Sequence, residues 1–95
     1  MNKYELCVVV SAKIEEEERL STIEKVKELI ERFGGTITNV DDWGRKRLAY
    51  EIQKMKEGYY NFIHFDAGSK TPIEIESRIR IMDNVIRYLC VRLDD

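Results

Sequence analysis

The order in which hydrophobic spacing changes along the chain constrains the fold of this 95-residue sequence more than any other feature. Residues 3–10 place apolar side chains on one parity and are rich in valine, which is typical of a strand with a buried face. From about residue 15 to 33 the apolar residues recur every three or four positions, which predicts a helix, and Gly34 and Gly35 suit its end. The predicted buried side of this helix carries Leu20, Ile23, Val26, Leu29, Ile30 and Phe33.

The second half of the chain predicts two paired strands, a helix and a last strand. Residues 36–53 are strand-forming but contain two aspartates and a glycine, which indicates a bent or bulged strand. A short polar turn leads into the aromatic-rich segment 59–65, so the two strands should form a hairpin. Thr71, Pro72 and Glu74 have the spacing of a capping box at a helix start, and residues 85–93 form the final strand.

The resulting order βαββαβ predicts an α+β fold of the ferredoxin-like kind, a four-stranded antiparallel sheet with two helices on one face. Right-handed crossovers place the first and third strands at the centre. A chain of this length supports one core, so residues 1–95 are expected to form a single domain. The last strand leaves two alternatives open, because either Leu89 with Val91 or Tyr88 with Cys90 could face the helices.

Charge is nearly balanced overall but unevenly distributed. Sixteen basic residues stand against eighteen acidic ones, which argues against a strongly basic, autonomous nucleic-acid binder. Segment 13–32 has a net negative charge, whereas segments 43–56 and 77–93 each have an excess of cations. The sequence therefore predicts a polarised surface with one acidic and one basic flank.

Cellular location and redox state follow from what the sequence lacks. No stretch is long and apolar enough to span a membrane, and residues 1–11 lack a secretion signal, so we expect a cytoplasmic protein. Cys7 and Cys90 lie within apolar runs, which favours buried, reduced thiols.

Enzyme chemistry has little support in the residue inventory. His64 is the only histidine, and no serine or cysteine is predicted close enough for it to activate. The sequence has neither a CxxC pair nor a paired-histidine motif, and Gly34 and Gly35 follow a helix instead of opening one as a phosphate loop would. We expect no catalytic residues, no metal site, no cofactor and no small-molecule substrate.

The basic segment is the strongest candidate for function. Arg45, Lys46 and Arg47 occupy consecutive strand positions, so both faces of that strand display charge. The cations could protect an edge strand against aggregation or contact phosphates. Arg87 and Arg92 lack local acidic partners, whereas Glu76 lies four residues before Arg80 and could pair with it on the helix.

An aromatic row is expected on the third strand. Tyr60, Phe62 and His64 share one parity, and if Ile63 and Phe65 face the helices, the row lies on the uncovered side of the sheet. Such a row could stack nucleotide bases, meet a protein partner, or simply pack across strands.

Three motifs carry a resemblance over essentially the whole chain: YELCVVV, WGRKRLAYEIQKMKEGYY and IRIMDNVIRYLCVR. With these motifs the chain resembles the small-subunit ribosomal protein six family. The resemblance implies a structural constituent of the small subunit that binds the central domain of 16S ribosomal RNA in a heterodimer with small-subunit protein eighteen. By position in the motifs it points to Lys3, Lys46, Arg47, Arg80 and Arg87 as RNA or partner contacts. Met82 and Ile86 depart from the family, which often has cations there.

The residues alone leave two other functions open. One is a small hydrolase similar to acylphosphatase, although the segment 10–14 lacks that family's arginine-bearing phosphate loop. The other is a regulatory domain that binds a small molecule between dimerised sheets. The full set of predicted RNA or partner contacts is Lys3, Arg45, Lys46, Arg47, Arg80, Arg87 and Arg92.

Overall fold

The computed structural model describes the backbone of residues 1–52 and 55–93 and the side chains of residues 1–42 and 58–93. Its elements are β1 (Asn2–Ser11), α1 (Glu16–Arg32), β2 (Thr36–Ile52), β3 (Met55–Ala67), α2 (Thr71–Ile79) and β4 (Val85–Leu93). The predicted βαββαβ order is confirmed. None of the described helices is long and apolar enough to cross a membrane.

The sheet is antiparallel with strand order β2-β3-β1-β4, so the first and third strands are central, as predicted. The pairing of β2 with β3 shifts register after Ile37, after Asp42 and after Arg47. The bend predicted for this strand is therefore a series of register shifts, one of them between the aspartates and Gly44. β2 and β4 form the two edges.

The core lies between one face of the sheet and the two helices. On β1 the buried side chains alternate with half-buried ones up to Val8, because successive residues of a strand point to opposite faces. The α+β, ferredoxin-like arrangement with both helices on one face is confirmed. The fully buried cluster consists of Tyr4, Leu6, Val8, Val10, Ile23, Val26, Ile30, Ile63, Phe65, Ala67, Ile75 and Ile79.

The buried side of α1 differs from the prediction at its first turn. Leu20 is 48% exposed, whereas Ile23, Val26 and Ile30 are buried as expected. Arg19 lies one turn before Ile23 on the same side of the helix, since residues four apart share a face. Leu20 is rotated about 100° away from it. The prediction for Leu20 was wrong because Arg19, a long cation, occupies the position nearest the sheet.

The open question about the last strand is settled by packing. Tyr88 and Cys90 pack against the core, and Leu89 and Val91 are exposed on the side of the sheet that no helix covers. We call this side the uncovered face. Arg87 shares its parity with Leu89 and therefore lies on the uncovered face.

The start of α2 does not use the predicted capping box. Thr71 is already inside the helix, Lys70 precedes it, and no side chain caps the first turn. The Thr71 hydroxyl donates instead to the carbonyl of Phe33 at 2.9 Å, and the Arg78 guanidinium lies 5.4 Å from the centre of the Phe33 ring. The hydroxyl therefore satisfies an unpaired carbonyl at the end of α1 and joins the two helix ends.

Candidate nucleic-acid and protein interface

The positions of the predicted contact residues are described relative to the two ends of the sheet. Asn2 of β1 pairs with Ala67 of β3, and we call this the near end. At the far end Ser11 of β1 pairs with Gly58 of β3. The strand rise of about 3.3 Å per residue separates side chains six residues apart on one strand by about 20 Å.

Two of the predicted cations lie at the near end. Lys3 is exposed on the uncovered face, between Leu93 on β4 and Asp66 on β3. It forms no ion pair with any side chain that the structure describes. Arg92 is exposed on β4 opposite Tyr4, on the parity of the helix-covered face. The two cations are thus neighbours at one end of the sheet but belong to opposite faces.

Two more lie toward the far end. Arg87 is exposed on the uncovered face opposite Val9, and Arg80 is exposed directly after the last turn of α2. The connection between them is held in place, because the Met82 amide donates to Ile79 at 2.9 Å and the Ser11 amide donates to Asn84 at 2.8 Å. Within the described part of the chain neither arginine forms an ion pair, so the helix pairing considered for Arg80 does not occur.

The side chains of Arg45, Lys46 and Arg47 lie outside the described residues. Their backbone belongs to β2, where they pair in turn with Tyr59, Gly58 and Glu57 of β3. These positions are at the far end, one to three rows beyond the row that contains Arg87, and on the opposite edge of the sheet. Three strand spacings separate the two edges, or about 14 Å. The predicted cations therefore divide between two ends and two edges and do not form one patch.

The acidic flank lies at the start of α1, where Glu16, Glu17 and Glu18 are exposed in the first turn. Sequence reasoning missed the residue beside them. The Arg19 side chain is only 12% exposed, lies 4.4 Å from the centre of the Tyr59 ring and approaches Asp42 at 3.4 Å. The sequence did contain a signal for this. Arg19 lies four residues before Ile23, which places it on the apolar side of the helix, and a cation buried there needs partners.

The predicted aromatic row is confirmed. Ile63 and Phe65 are buried under the helices, and Tyr60, Phe62 and His64 are half-buried on the uncovered face. His64 makes a further contact that the sequence did not predict, because its Nε2 lies 2.8 Å from the Glu5 carboxylate on the neighbouring strand. The row is therefore interrupted by a polar pair and is not a continuous stacking surface.

The two cysteines are free but half-buried, so the prediction that both are buried was wrong. Cys7 lies on the uncovered face between Phe62 and Leu89, whereas Cys90 points toward the helices. Burial raises the pKa of the Cys7 thiol, Glu5 raises it further, and Arg87 opposes the shift. Burial, helped by Glu76, raises the pKa of Cys90 to about 11. Both thiols are therefore protonated at neutral pH and react slowly.

No group of three or more histidine, cysteine, aspartate or glutamate side chains suited to a metal ion occurs in the described ranges 1–42 and 58–93.

Comparison with known proteins identifies the family. The family model for ribosomal protein S6 matches residues 3–92. The chain belongs to the ribosomal protein S6 family. It is 46% identical over 94 residues to small ribosomal subunit protein bS6 of Alkaliphilus oremlandii, with 99% of each chain covered. It is 47% identical to the same protein of Caldanaerobacter subterraneus subsp. tengcongensis over 95 residues, the full length of both.

Structure comparison agrees with the sequence. The crystal structure of 30S ribosomal protein S6 from Thermotoga maritima matches with a TM-score of 0.91 and 33% identity, covering 97% of this chain and 87% of that one. The resemblance seen in the three motifs is thus confirmed. Members of the S6 family are structural proteins of the small ribosomal subunit in the bacterial cytoplasm and are not known as enzymes, so the hydrolase alternative is set aside.

Proposed function

We propose that this chain binds the central domain of 16S ribosomal RNA in a heterodimer with small-subunit protein eighteen, and that residues 1–95 act as one domain. The observation that supports the proposal most is a set of exposed cations, Lys3, Arg80 and Arg87, that no described acidic side chain neutralises. Arginine and lysine in this state are available to phosphate groups. Because the chain belongs to the ribosomal protein S6 family, we take these phosphates to be those of ribosomal RNA.

The spacing of the cations favours recognition of RNA shape. Side chains about 20 Å apart along the strands and about 14 Å apart across them span several nucleotides and cannot converge on one phosphate. Contacts of this kind position a protein on the backbone without reading bases. Double-stranded RNA is recognised largely through its shape and backbone, because its major groove is too narrow for side chains.

A protein partner compensates for the small number of phosphate contacts. The affinity of a protein for RNA and its salt dependence both grow with the number of phosphates that the protein neutralises. A chain with a net charge of −2 and a few dispersed cations gains little affinity alone. A basic partner bound beside it supplies further phosphate contacts on the same RNA, and the two proteins then bind more tightly together.

Filter binding to a central-domain RNA fragment tests the proposal. We expect little RNA to be retained by the chain alone at moderate salt, and much more when purified protein eighteen is added in equal amount. Protein eighteen without this chain is the control. If the mixture retains no more RNA than protein eighteen alone, the proposed function is wrong.

Charge reversal at Lys46 and Arg47 separates the two interpretations of the basic segment. If these residues contact RNA or the partner, the double variant Lys46→Glu, Arg47→Glu should weaken assembly about tenfold or more, since a hydrogen bond to a charged group contributes about 1.5 kcal/mol or more. Its midpoint of thermal unfolding should hardly change. Normal assembly together with aggregation of the variant would instead assign these cations to protection of the β2 edge.

A further inference from the structure

Arg19 joins the first helix to both strands of the hairpin at one place. Its guanidinium lies 4.4 Å from the centre of the Tyr59 ring on β3, and its Nη1 lies 3.4 Å from the Asp42 carboxylate on β2. Glu16, one turn earlier on α1, lies 3.7 Å from the same guanidinium. We call Arg19, Asp42 and Tyr59 the arginine clamp, because their contacts connect α1, β2 and β3.

The arginine clamp lies where the pairing of β2 with β3 shifts by one residue. The shift falls between Asp42 and Gly44, where β2 has one residue more than β3, and such an extra residue is a β-bulge. Asp42 belongs to the paired segment before the bulge, and Tyr59 pairs with Arg45 after it. Arg19 therefore contacts β2 directly on one side of the bulge and holds the pairing partner of β2 on the other side.

The basic segment 45–47 has little means of setting its own register. It consists of three consecutive cations, so within it no apolar face favours one register by its burial. β2 is also an edge strand, so it is paired on one side only. A slip of one residue exchanges the faces of the sheet for every position that follows. The place of the bulge thus decides on which face each of the three cations lies.

The burial of Arg19 is a poor way to stabilise the fold. The side chain is 12% exposed, and its Nε is buried without a hydrogen-bond acceptor among the described residues. Replacing a buried ion pair by apolar side chains of similar volume is often neutral or stabilising, whereas buried ionic groups fix one arrangement in some proteins. A role in fixing geometry therefore accounts for an arginine at this position better than a role in stability.

We infer that Arg19 is a positioning residue, which holds the bulge after Asp42 in place and so presents the basic segment 45–47 to ribosomal RNA in one register. The inference rests on the proposed function, in which Lys46 and Arg47 are contacts. Arg19 is not itself a contact, because a cation that is 12% exposed and already paired has little surface left for a phosphate. Its planar guanidinium suits the role, since it can stack on a ring and bind a carboxylate together.

Hydrogen exchange of backbone amides in the free chain tests the register directly. Arg19→Met removes the cation but keeps a long side chain that can fill the same space. The paired amides of residues 44–47 should then exchange about tenfold faster, because this part of β2 opens locally without the clamp, and those of residues 37–41 should change less than about twofold. Equal acceleration of both groups would indicate general destabilisation and overturn the inference. Unchanged exchange in both groups would overturn it as well.

The matched control is Lys27→Met. Lys27 pairs with Glu24 at 3.0 Å on the same helix, so this variant also removes one positive charge and one ion pair. Exchange in both segments should stay within about twofold of the unmodified chain, since exposed pairs contribute little. If Lys27→Met accelerates residues 44–47 as much as Arg19→Met does, the effect comes from net charge and the inference is wrong. Arg19→Lys keeps the charge but not the flat group over Tyr59, so its exchange should be intermediate.

A double-mutant cycle connects the arginine clamp to RNA binding. Affinity for the central-domain fragment is measured with saturating protein eighteen for Arg19→Met, for the double variant Lys46→Ala, Arg47→Ala, and for the triple variant that combines them. Arg19→Met should weaken binding about threefold to tenfold in the unmodified chain. It should cause almost no further loss once both cations are alanine, because a positioning residue then has nothing left to position.

Each result of the cycle has a distinct meaning. Equal losses in both backgrounds overturn the inference, because Arg19 then acts independently of the basic segment. Full affinity of Arg19→Met beside a clear loss in Lys46→Ala, Arg47→Ala overturns it too, and so does a loss that already appears in the binding of protein eighteen without RNA. If Lys46→Ala, Arg47→Ala binds RNA normally, the proposed function of these cations fails and the positioning role fails with it, whereas the exchange rates still show whether Arg19 holds the register.

Discussion

Truncation of Phe65 to alanine should lower the free energy of unfolding by about 3 to 5 kcal/mol. The Phe65 side chain is 1% exposed and stacks on Tyr4 with ring centres 5.4 Å apart. Its ring also lies close to Gly35, directly before β2, where any added side chain would collide with Ile30. Removal of the ring therefore leaves a cavity that the surrounding backbone can fill only partly.

Urea unfolding monitored by circular dichroism measures this loss. Domains of this size are typically stable by about 5 to 15 kcal/mol, so the variant should unfold at a much lower urea concentration with a similar slope. Phe62→Ala is the matched control, since the same ring is removed from the half-buried, uncovered face. Its cost should be clearly smaller. Equal losses would mean that the uncovered face is packed as tightly as the core.

Most of the fold follows from hydrophobic spacing, because spacing records which face of each element is buried. The strands and helices lie where the pattern puts them, and the hairpin and central strands follow from connection rules. The buried cluster contains both the apolar side of β1 and the Ile63 and Phe65 side of β3, as the spacing predicted.

The differences arise where the local sequence allows two arrangements. Thr71 could have capped its own helix, but its hydroxyl satisfies the carbonyl of Phe33, a residue far away in sequence. On β4 both parities carry apolar residues, and the pairing with β1 decides that Cys90, not Leu89, faces the helices. Local sequence does not contain that register.

The sequence predicts the candidate site as a set of residues and does not show how they are arranged on the surface. Consecutive cations and family motifs identified the residue types, yet Lys3 and Arg87 lie about 20 Å apart because β1 and β4 are antiparallel. The exposed apolar surface of Leu89 and Val91 on the uncovered face was not predicted at all. It becomes visible only once Leu89 and Val91 are placed beside Cys7 and Phe62, which is a consequence of strand order.

Charge reversal of Arg80 and Arg87 together should weaken RNA binding by the complex about a hundredfold. Each arginine is exposed and has no acidic partner among the described side chains, so each can form a charge-assisted contact worth about 1.5 kcal/mol or more. Two such contacts correspond to about two powers of ten in affinity. The double variant Arg80→Glu, Arg87→Glu is titrated with the central-domain RNA in the presence of saturating protein eighteen.

The salt dependence of binding distinguishes direct contact from a general effect of charge. Loss of two phosphate contacts should reduce the slope of log affinity against log salt by about 1.4 to 1.8. The control is Lys25→Glu, Arg32→Glu on the exposed side of α1, which changes the net charge equally and, like Arg80, reverses a cation at the end of a helix. If this control lowers affinity and slope as much as the test pair, the effect comes from net charge. If the control loses clearly less affinity than the test pair, Arg80 and Arg87 contact the RNA, because the two double variants change the net charge equally.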